Sequence, residues 1–306
     1  MIILKIVFMG TPEFSVPILK ALNELYEVSL IISQPNRVKK KGVFIDTPVA
    51  ACAKELGLNL IQPEHIKDNL DLVIGKGDLL VTAAYGQYVP SKILNSFKKC
   101  INVHASLLPL HRGGAPIQRC LMNGDKKTGV TIMEMTKKLD AGRMFAKKEY
   151  EILDDDNNSS LFNKLSIIGR DLLLENILDI YNGKNEGVPQ NEDEATVSPN
   201  ILPEEEKIDL SDKTLNIINK IRGLAMEPGA YLLVGDIKLK IFKAHDINYS
   251  GNEPTGYVLE TKKKIVIKTS DSAIELDLVL YPGKKILSGK DFSNGQKLFI
   301  KDSLLK

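Results

Sequence analysis

Hydrophobic and polar positions follow two different periods in the first part of the chain. Six short apolar runs have the length of buried strands. They cover residues 4–9, 28–33, 58–62, 79–84, 100–104 and 129–136. Helical periodicity at residues 14–25 and 47–56 separates the first three runs, and Pro116 fits the first turn of a further helix. This alternation predicts an α/β domain with a Rossmann-like parallel sheet.

The pattern changes past the middle of the chain. An amphipathic run at residues 160–181 predicts the helix that closes the first domain, residues 1–182. Residues 183–203 are rich in Asn, Gly, Pro and acidic residues without periodicity, and we interpret them as a linker. One helical pattern, residues 213–224, and several alternating segments follow. The segments cover residues 231–234, 237–242, 264–268 and 274–280. They predict a small OB-like β-barrel domain at residues 204–306.

Composition agrees with a two-domain globular protein, since 306 residues are long for one core and the chain is 43% hydrophobic and 26% charged. No run approaches the ~18 apolar residues of a membrane span, and the amino terminus lacks the features of a signal peptide. We expect a cytoplasmic monomer with no membrane partner. Cys52, Cys100 and Cys120 lie far apart, which favours reduced thiols and no metal site.

The net charge of +2 is too small to indicate a class of partner, so the distribution of charge along the chain is more informative. Four basic residues follow the second predicted strand: Arg37, Lys39, Lys40 and Lys41. Basic residues also outnumber acidic ones in residues 207–306. A short basic run is most often a solvated surface, but its place at the end of a strand makes it a candidate for phosphate contact.

Three polar residues form the candidate active site. Asn102 and His104 are two apart at the end of an apolar run, so they face the same side of the predicted strand. Asp140 follows the run at residues 129–136, on a turn that Gly142 permits. Open α/β sheets bind ligands at the carboxyl ends of their strands, where this site falls.

Other motifs of α/β enzymes are missing from the chain. The first turn, residues 9–14, lacks the three-glycine fingerprint that binds a dinucleotide, and there is no P-loop. There is no Gly-x-Ser-x-Gly elbow, although Ser106 lies close to His104. We therefore do not expect NAD binding, P-loop chemistry is excluded, and a nucleophilic serine is a minor alternative.

Several motifs together resemble the methionyl-tRNA formyltransferase family. In the first domain they are residues 10–14 (GTPEF), 102–109 (NVHASLLP), 112–118 (RGGAPIQ), 128–133 (TGVTIM) and 139–142 (LDAG). In the second they are residues 207–209, 221–222, 228–231 and 282–285. The resemblance covers the chain from end to end. It departs at Leu210 and Glu227, where Trp is usual, and at Leu110, which replaces a basic residue.

The resemblance implies formyl transfer from 10-formyltetrahydrofolate to the α-amine of methionyl initiator tRNA, with no metal. Asn102 and His104 would donate hydrogen bonds to the oxyanion that forms on the formyl group, and Asp140 would orient His104 and take the amine proton. For Asp140, the alternative is a turn residue that bonds to its own backbone.

The resemblance also implies binding residues. The folate would contact backbone groups of one loop, Ser106, Leu107, Leu108 and Pro109, and of a second wall, Tyr85, Gly86 and Gln87. The tRNA acceptor stem would contact the basic loop through Arg37, Lys39, Lys40 and Lys41, and Phe44 could stack on a base. The basic second domain would add backbone contacts, so binding would depend strongly on salt.

Two alternatives remain open. One is a formyltransferase for a small amine or a formyl-folate hydrolase, against which the basic loop and second domain argue. The other is a non-catalytic nucleic-acid-binding protein, against which the intact Asn102, His104 and Asp140 argue. We interpret His65, His111 and His245 as solvated or packed histidines.

Overall fold

The computed structural model describes residues 4–39, 43–295 and 298–305, with the backbone alone at residues 37–39 and 43. The strands of the first part are β1 (Lys5–Gly10), β2 (Glu27–Ile32), β3 (Arg37–Lys39), β4 (Val43–Ile45), β5 (Leu60–Ile61), β6 (Leu79–Ala83), β7 (Lys99–His104), β8 (Lys127–Glu134) and β9 (Met144–Glu151). The helices are α1 (Val16–Leu25), α2 (Pro48–Glu55), α3 (Ser91–Leu94), α4 (Pro116–Asn123) and α5 (Asn158–Tyr181).

Seven of these strands form one sheet in the order β5-β2-β1-β6-β7-β8-β9. The pairs from β5 to β7 are parallel, whereas β8 is antiparallel to β7 and to β9. The predicted α/β class with a Rossmann-like, mostly parallel sheet is thus confirmed. The prediction of parallel strands is wrong for β8, which is antiparallel to both of its neighbours. Strand direction does not change the period of apolar positions, so the sequence pattern could not reveal the reversal.

Local sequence explains where the first helices begin. Thr47 caps α2 by accepting a hydrogen bond from the backbone N–H of Ala50 at 3.2 Å, and Pro48 occupies the first turn, where its missing N–H has no partner to lose. α1 follows β1 of the parallel sheet, whereas α2 follows β4 of a separate two-stranded sheet. The carboxyl ends of β1, β2, β6 and β7 lie on one edge of the sheet.

The second part adds β10 (Ala230–Val234), β11 (Ile237–Asp246), β12 (Val258–Glu260), β13 (Val266–Lys268), β14 (Ala273–Leu280) and β15 (Ile286–Ser288), with α6 (Thr214–Gly223) and α7 (Gly289–Gly295). The strands form an antiparallel half-barrel in the order β10-β11-β14-β13-β12, with β15 on β14. Apolar side chains from alternate strand positions and from α6 and α7 fill its core, including Ile241, Ile217 and Phe292. The alternating segments predicted a small OB-like β-barrel, and the structure has an antiparallel half-barrel together with the predicted helix, α6.

The chain divides into two compact units that are each discontinuous in sequence. Unit 1 consists of residues 1–116, 127–151 and 162–199, and unit 2 of residues 117–126, 152–161 and 200–306. Within the described ranges, no helix is both long and apolar enough to cross a membrane. The predicted domain bounds remain a prediction, because the compact units follow the packing of the chain and not its function.

Candidate active site

Asn102 lies on β7 with its side-chain amide held in one orientation. The hydroxyl of Thr82, on the neighbouring β6, donates a hydrogen bond to Asn102 Oδ1 at 2.8 Å. The two residues are register partners in the parallel pair, which brings their side chains together. With the oxygen end occupied, the NH₂ end of Asn102 is the part that can donate to a ligand.

His104 ends β7 and is 6% exposed. Its Nε2 lies 2.9 Å from the carbonyl oxygen of His111. Because a carbonyl oxygen only accepts, Nε2 carries a proton in this arrangement. Nδ1 faces the carboxylate of Asp140, with 3.8 Å between Nδ1 and Oδ2. That separation is too long for a hydrogen bond and allows an ion pair when the ring is charged.

Asp140 lies on the predicted turn in a left-handed conformation, with φ of +48°. Its Oδ2 accepts a hydrogen bond from the backbone N–H of Gly113 at 2.8 Å, which links the turn to the loop after β7. Gly142 is required here, because a Cβ at this position would overlap the carbonyl oxygen of Glu134. The structure thus brings Asp140 and His104 together, as predicted, while Asn102 lies two residues away on the same face of the strand.

The predicted folate loop, Ser106 to Pro109, is held from beneath by β8. The buried Thr131 hydroxyl donates to the carbonyl of Ser106 at 2.7 Å and accepts from the N–H of Leu108 at 3.1 Å. The ammonium of Lys147 donates to the carbonyl of Leu108 at 3.2 Å. These contacts fix the loop backbone. They also engage the carbonyls of Ser106 and Leu108 and the N–H of Leu108, so fewer backbone groups of the loop remain for a ligand. Leu107 is half-buried.

The predicted second wall, Tyr85 to Gln87, follows β6. The carbonyl of Tyr85 accepts hydrogen bonds from Thr11 Oγ1 at 2.8 Å and from Gln34 Nε2 at 3.3 Å. The side chain of Gln87 accepts from the N–H of Ile66 and donates to the carbonyls of Pro63 and Glu64. Gly86 has φ of +88°, a conformation that favours glycine. Side chains of this wall therefore support the backbone, and the backbone at Gly86 is the part open to a ligand.

The Tyr85 side chain points into an apolar cluster of unit 1 and is 4% exposed. Its hydroxyl has no hydrogen-bond partner among the described residues. Burial raises the pKa of Tyr85 to about 12. The phenol is therefore neutral and serves packing, so any contribution of Tyr85 to ligand binding comes from its backbone.

Arg112 lies in the loop after β7 and is 6% exposed. Its guanidinium forms two hydrogen bonds to the carboxylate of Glu192, at 3.0 and 3.1 Å, and two to Gln190 Oε1. Lys138 donates to the same carboxylate at 2.6 Å. The hydrogen bonds from Arg112, and then from Lys138, lower the pKa of Glu192 to about 2. Segment 188–199 is thereby anchored to the candidate site.

The basic loop contains an antiparallel hairpin of β3 and β4 that the sequence analysis did not predict. Arg37 and Lys39 lie on β3, with only their backbone described, and the predicted contacts at Lys40 and Lys41 lie outside the described residues. Phe44, on β4, is 68% exposed. At the base of the hairpin, Asn36 Nδ2 donates to Asp46 Oδ1 at 2.6 Å.

Three supporting residues were missed by the sequence analysis: Thr82, Gln190 and Glu192. Thr82 sits in a buried strand, and the other two fall in the segment interpreted as a linker, where no motif or period distinguishes them. His111 was interpreted as a packed or solvated residue, and its ring Nδ1 lies 2.7 Å from Ser198 Oγ.

One group of side chains in the described part of unit 2 has the ligand types of a metal site: His245, Glu275 and Asp277. His245 Nδ1 lies 3.0 Å from Asp277 Oδ1, and Lys264 Nζ lies 3.3 Å from Glu275 Oε2. Hydrogen bonding and ion pairing therefore already engage these three side chains.

Comparison with known proteins identifies the family. The family model described as formyl transferase matches residues 4–177, and the model described as formyl transferase, C-terminal domain, matches residues 200–297. The chain belongs to the formyl transferase family. Two curated relatives of this formyl transferase, both named methionyl-tRNA formyltransferase, come from Streptococcus pyogenes serotypes M2 and M1. They are 45% and 44% identical to it over 95% of its chain and 96% of theirs.

Solved structures share the fold of this formyl transferase. The N-formyltransferase from Helicobacter canadensis, in complex with folinic acid and dTDP-3-aminofucose, matches with a TM-score of 0.69 and 18% identity over 90% of this chain and 98% of that one. HypX from Aquifex aeolicus, in complex with tetrahydrofolic acid, matches with a TM-score of 0.65 and 18% identity over 94% of this chain. The chain spans 46% of the length of that HypX structure. Identities this low establish a shared fold alone.

Proposed function

We propose that this formyl transferase transfers the formyl group of 10-formyltetrahydrofolate to the α-amine of methionyl initiator tRNA. The observation that carries the proposal is the match to methionyl-tRNA formyltransferases over 95% of the chain, which includes both family regions. The product is N-formylmethionyl-tRNA, the form used to initiate translation.

Asn102 supplies a hydrogen bond to the reacting formyl oxygen. Attack of the amine on the formyl carbon converts that oxygen to an oxyanion, and a donor placed in advance stabilises it most in the transition state. The bond from Thr82 supports this role because it keeps the NH₂ end of Asn102 available. A donor of this type contributes roughly 3 kcal/mol to the barrier reduction.

His104 and Asp140 act as a pair. With its Nε2–H on the carbonyl of His111, the ring has Nδ1 as the atom directed towards Asp140 and the reacting groups. A proton on Nδ1 donates to the oxyanion, and the Asp140 carboxylate stabilises the charged ring. Asp140 also accepts the amine proton, directly or through a water. The amine attacks the formyl carbon directly, so no covalent enzyme intermediate is needed. Collapse of the tetrahedral intermediate breaks the bond between the formyl carbon and the folate nitrogen, which takes up a proton and leaves as tetrahydrofolate.

The folate lies between the loop Ser106 to Pro109 and the backbone at Gly86. The rigid loop, tied to Thr131 and Lys147, supports this placement because a fixed backbone recognises a flat polar ring with little loss of entropy. The tRNA contacts the basic hairpin through Arg37 and the neighbouring lysines, and Phe44 stacks on a base.

The two regions divide the work. Residues 1–182 carry catalysis, and residues 204–306 hold the tRNA backbone with their basic surface, connected by residues 183–203. The enzyme acts as a monomer in the cytoplasm, where initiator tRNA is charged and used. The tRNA contacts of residues 204–306 depend on the proposed substrate, whereas catalysis by residues 1–182 does not.

The test is transfer of a labelled formyl group from 10-formyltetrahydrofolate to methionyl initiator tRNA by the whole protein. Uncharged tRNA and an amino-sugar nucleotide serve as controls. Formylation of the charged tRNA alone supports the proposal. Activity on the amino sugar alone, or hydrolysis of the folate alone, would retain the active site and reject the tRNA substrate.

A further inference from the structure

We infer that Gln190 is a positioning residue for the proposed formyl transfer, acting through the Asp140 turn. The inference rests on the proposed function. Gln190 belongs to the segment between the two family regions, and its role would make part of that segment a component of the active site.

Gln190 joins the two loops that carry the candidate site. Its Oε1 accepts hydrogen bonds from Nε and Nη2 of Arg112, at 2.9 and 2.8 Å, in the loop after β7. Its Nε2 donates to the carbonyl oxygens of Asp140 and Gly142, both at 2.8 Å. Both hydrogens of the amide and its oxygen are therefore used, which no carboxylate or apolar side chain of this size can reproduce.

The backbone at Asp140 needs such support. A non-glycine residue with φ of +48° is in a sparsely populated conformation, which persists when its surroundings fix it. The bonds from Gln190 hold the carbonyls on either side of Ala141, so they set the direction in which the Asp140 side chain leaves the turn. Asp140 Oδ2 in turn faces His104 Nδ1 across 3.8 Å.

Gln190 is itself fixed from the opposite side. The buried Arg112 guanidinium donates both to Gln190 and to the carboxylate of Glu192, and the ammonium of Lys138 also donates to that carboxylate. The chain of contacts runs from Glu192 through Arg112 and Gln190 to Asp140. Each link is a hydrogen bond of 3.1 Å or less, so a shift at Gln190 passes to the turn.

A displacement of a reacting group by about 1 Å can lower the rate of catalysis by about 100-fold. Among the residues whose side chains the structure describes, the Gln190 side chain bonds to Arg112, Asp140 and Gly142 and not to residues 106–109. Loss of the Gln190 amide should therefore lower kcat while leaving KM for both substrates nearly unchanged.

The experiment compares Gln190→Glu and Gln190→Leu with wild type in the whole protein. Gln190→Glu keeps an acceptor for Arg112 but places carboxylate oxygens against two carbonyls. Gln190→Leu removes both interactions. Asn191→Ala is the matched control, since the Asn191 side chain bonds to Glu194 and to the N–H of Asp193 in the same segment and not to the turn. We measure kcat, both KM values, the unfolding temperature and the stoichiometry of tetrahydrofolate binding.

The expected result is a fall in kcat of about tenfold or more for both Gln190 variants. Both KM values should stay within about twofold, one tetrahydrofolate should bind per chain, and Asn191→Ala should behave as wild type. Wild-type kcat in Gln190→Glu would overturn the inference, as would a loss of kcat matched by lost folate binding. Failure of wild type to formylate methionyl-tRNA would instead reject the proposed function, so the two failures are distinguishable.

Discussion

Each of the three predicted catalytic side chains is oriented by a neighbour that is not itself reactive. Thr82 fixes the amide of Asn102, the His111 carbonyl fixes the ring of His104, and the N–H of Gly113 fixes the carboxylate of Asp140. Because these partners reduce the freedom of the side chains before substrate binds, little reorganisation is left for the transition state. The same contacts allow substitutions that change chemistry and keep the fold.

Replacement of Asp140 by Asn should test the role of its charge. Asn retains an oxygen that can accept from Gly113, so the turn is kept, but it can neither stabilise a charged His104 nor accept the amine proton. We expect kcat to fall by about 100-fold or more with an unfolding temperature close to wild type. Steady-state kinetics and thermal unfolding measure the two quantities.

A suitable control for Asp140→Asn is Asp302→Asn. Asp302 also has a positive φ, of +62°, but lies near the carboxyl terminus in unit 2. It controls for loss of one carboxylate in a left-handed turn. A near wild-type rate for Asp140→Asn would remove the proposed proton acceptor and leave Asp140 as a turn residue.

Tyr85→Phe should separate packing from ligand binding at the second wall. The substitution removes a buried hydroxyl that has no partner among the described residues and keeps the backbone. We expect the free energy of unfolding in urea to be unchanged or higher by about 1 kcal/mol, with KM for the folate donor unaltered. Tyr249→Phe is the control, because the Tyr249 hydroxyl donates to Glu253 at 2.8 Å and its loss should not stabilise. A clear loss of stability in Tyr85→Phe would show that its hydroxyl has a partner in solution.

The sequence indicated candidate catalytic residues but not the residues that support them. Asn102, His104 and Asp140 belong to a motif whose residue types and spacing imply chemistry. Thr82 and Gln190 act through a side chain that meets its partner only after the chain has folded, with about 50 residues between Gln190 and Asp140. One sequence contains no signal for such a distant pairing.

At the scale of elements, the predicted strands and helices are present with ends that shift by a few residues. The apolar runs were reliable because burial on both faces requires them. β9 was missed because four of its last five residues are Lys or Glu, as suits an edge strand of the sheet. The β3–β4 hairpin was missed because its strands are three residues long. Polar edges and very short strands carry little hydrophobic signal.

Acid should weaken the contact between Arg119, on α4, and the turn at Pro203–Glu206, which both belong to unit 2. Arg119 binds the carboxylate of Glu205 with two hydrogen bonds, of 2.5 and 2.9 Å, and the N–H of Leu202 donates to it as well. These bonds, that from Arg119 first, lower the pKa of Glu205 to about 2 from its ordinary value of 4.5. A lowered folded-state pKa means that the stabilisation is full above about pH 4.5 and is lost as the pH falls towards about 2.

Glu205→Gln should therefore be less stable than wild type near neutral pH, and the difference should shrink in acid. Urea unfolding measured from about pH 7 to about pH 2 gives the comparison. Glu204→Gln, at the exposed neighbouring position, controls for loss of one negative charge. A constant difference between Glu205→Gln and wild type over this range would contradict the proposed linkage.

At the scale of the whole molecule, no single cut of the chain separates the two compact units. Residues 117–126 and 152–161 belong to unit 2 although they lie within the formyl transferase match, and Met122 packs against the apolar core of unit 2. Composition predicted one linker because it detects exposed polar segments. It cannot detect short segments that leave one core and join another.

Neutralising the basic loop should weaken the use of tRNA as a substrate without slowing the reaction at the formyl group. We expect the variant with Arg37, Lys39, Lys40 and Lys41 all replaced by Gln to raise KM for methionyl-tRNA. Each lost phosphate contact should reduce the slope of log affinity against log salt by roughly 0.7 to 0.9. Slow hydrolysis of 10-formyltetrahydrofolate without tRNA should proceed at the wild-type rate, because that reaction uses the candidate active site alone. Salt titrations of KM and a tRNA-free hydrolysis assay measure both effects.

The matched control replaces four exposed lysines elsewhere in unit 1 by Gln: Lys67, Lys76, Lys92 and Lys184. It has the same change in net charge, so a purely long-range attraction would weaken tRNA use equally in both variants. A larger rise of KM for methionyl-tRNA in the basic-loop variant than in the control supports local contact with phosphates. Phe44→Ala then separates stacking from charge, since it should raise KM without changing the salt slope. If the basic-loop variant loses formyl transfer and folate hydrolysis equally, the loop instead belongs to the folate site or the variant has a folding defect.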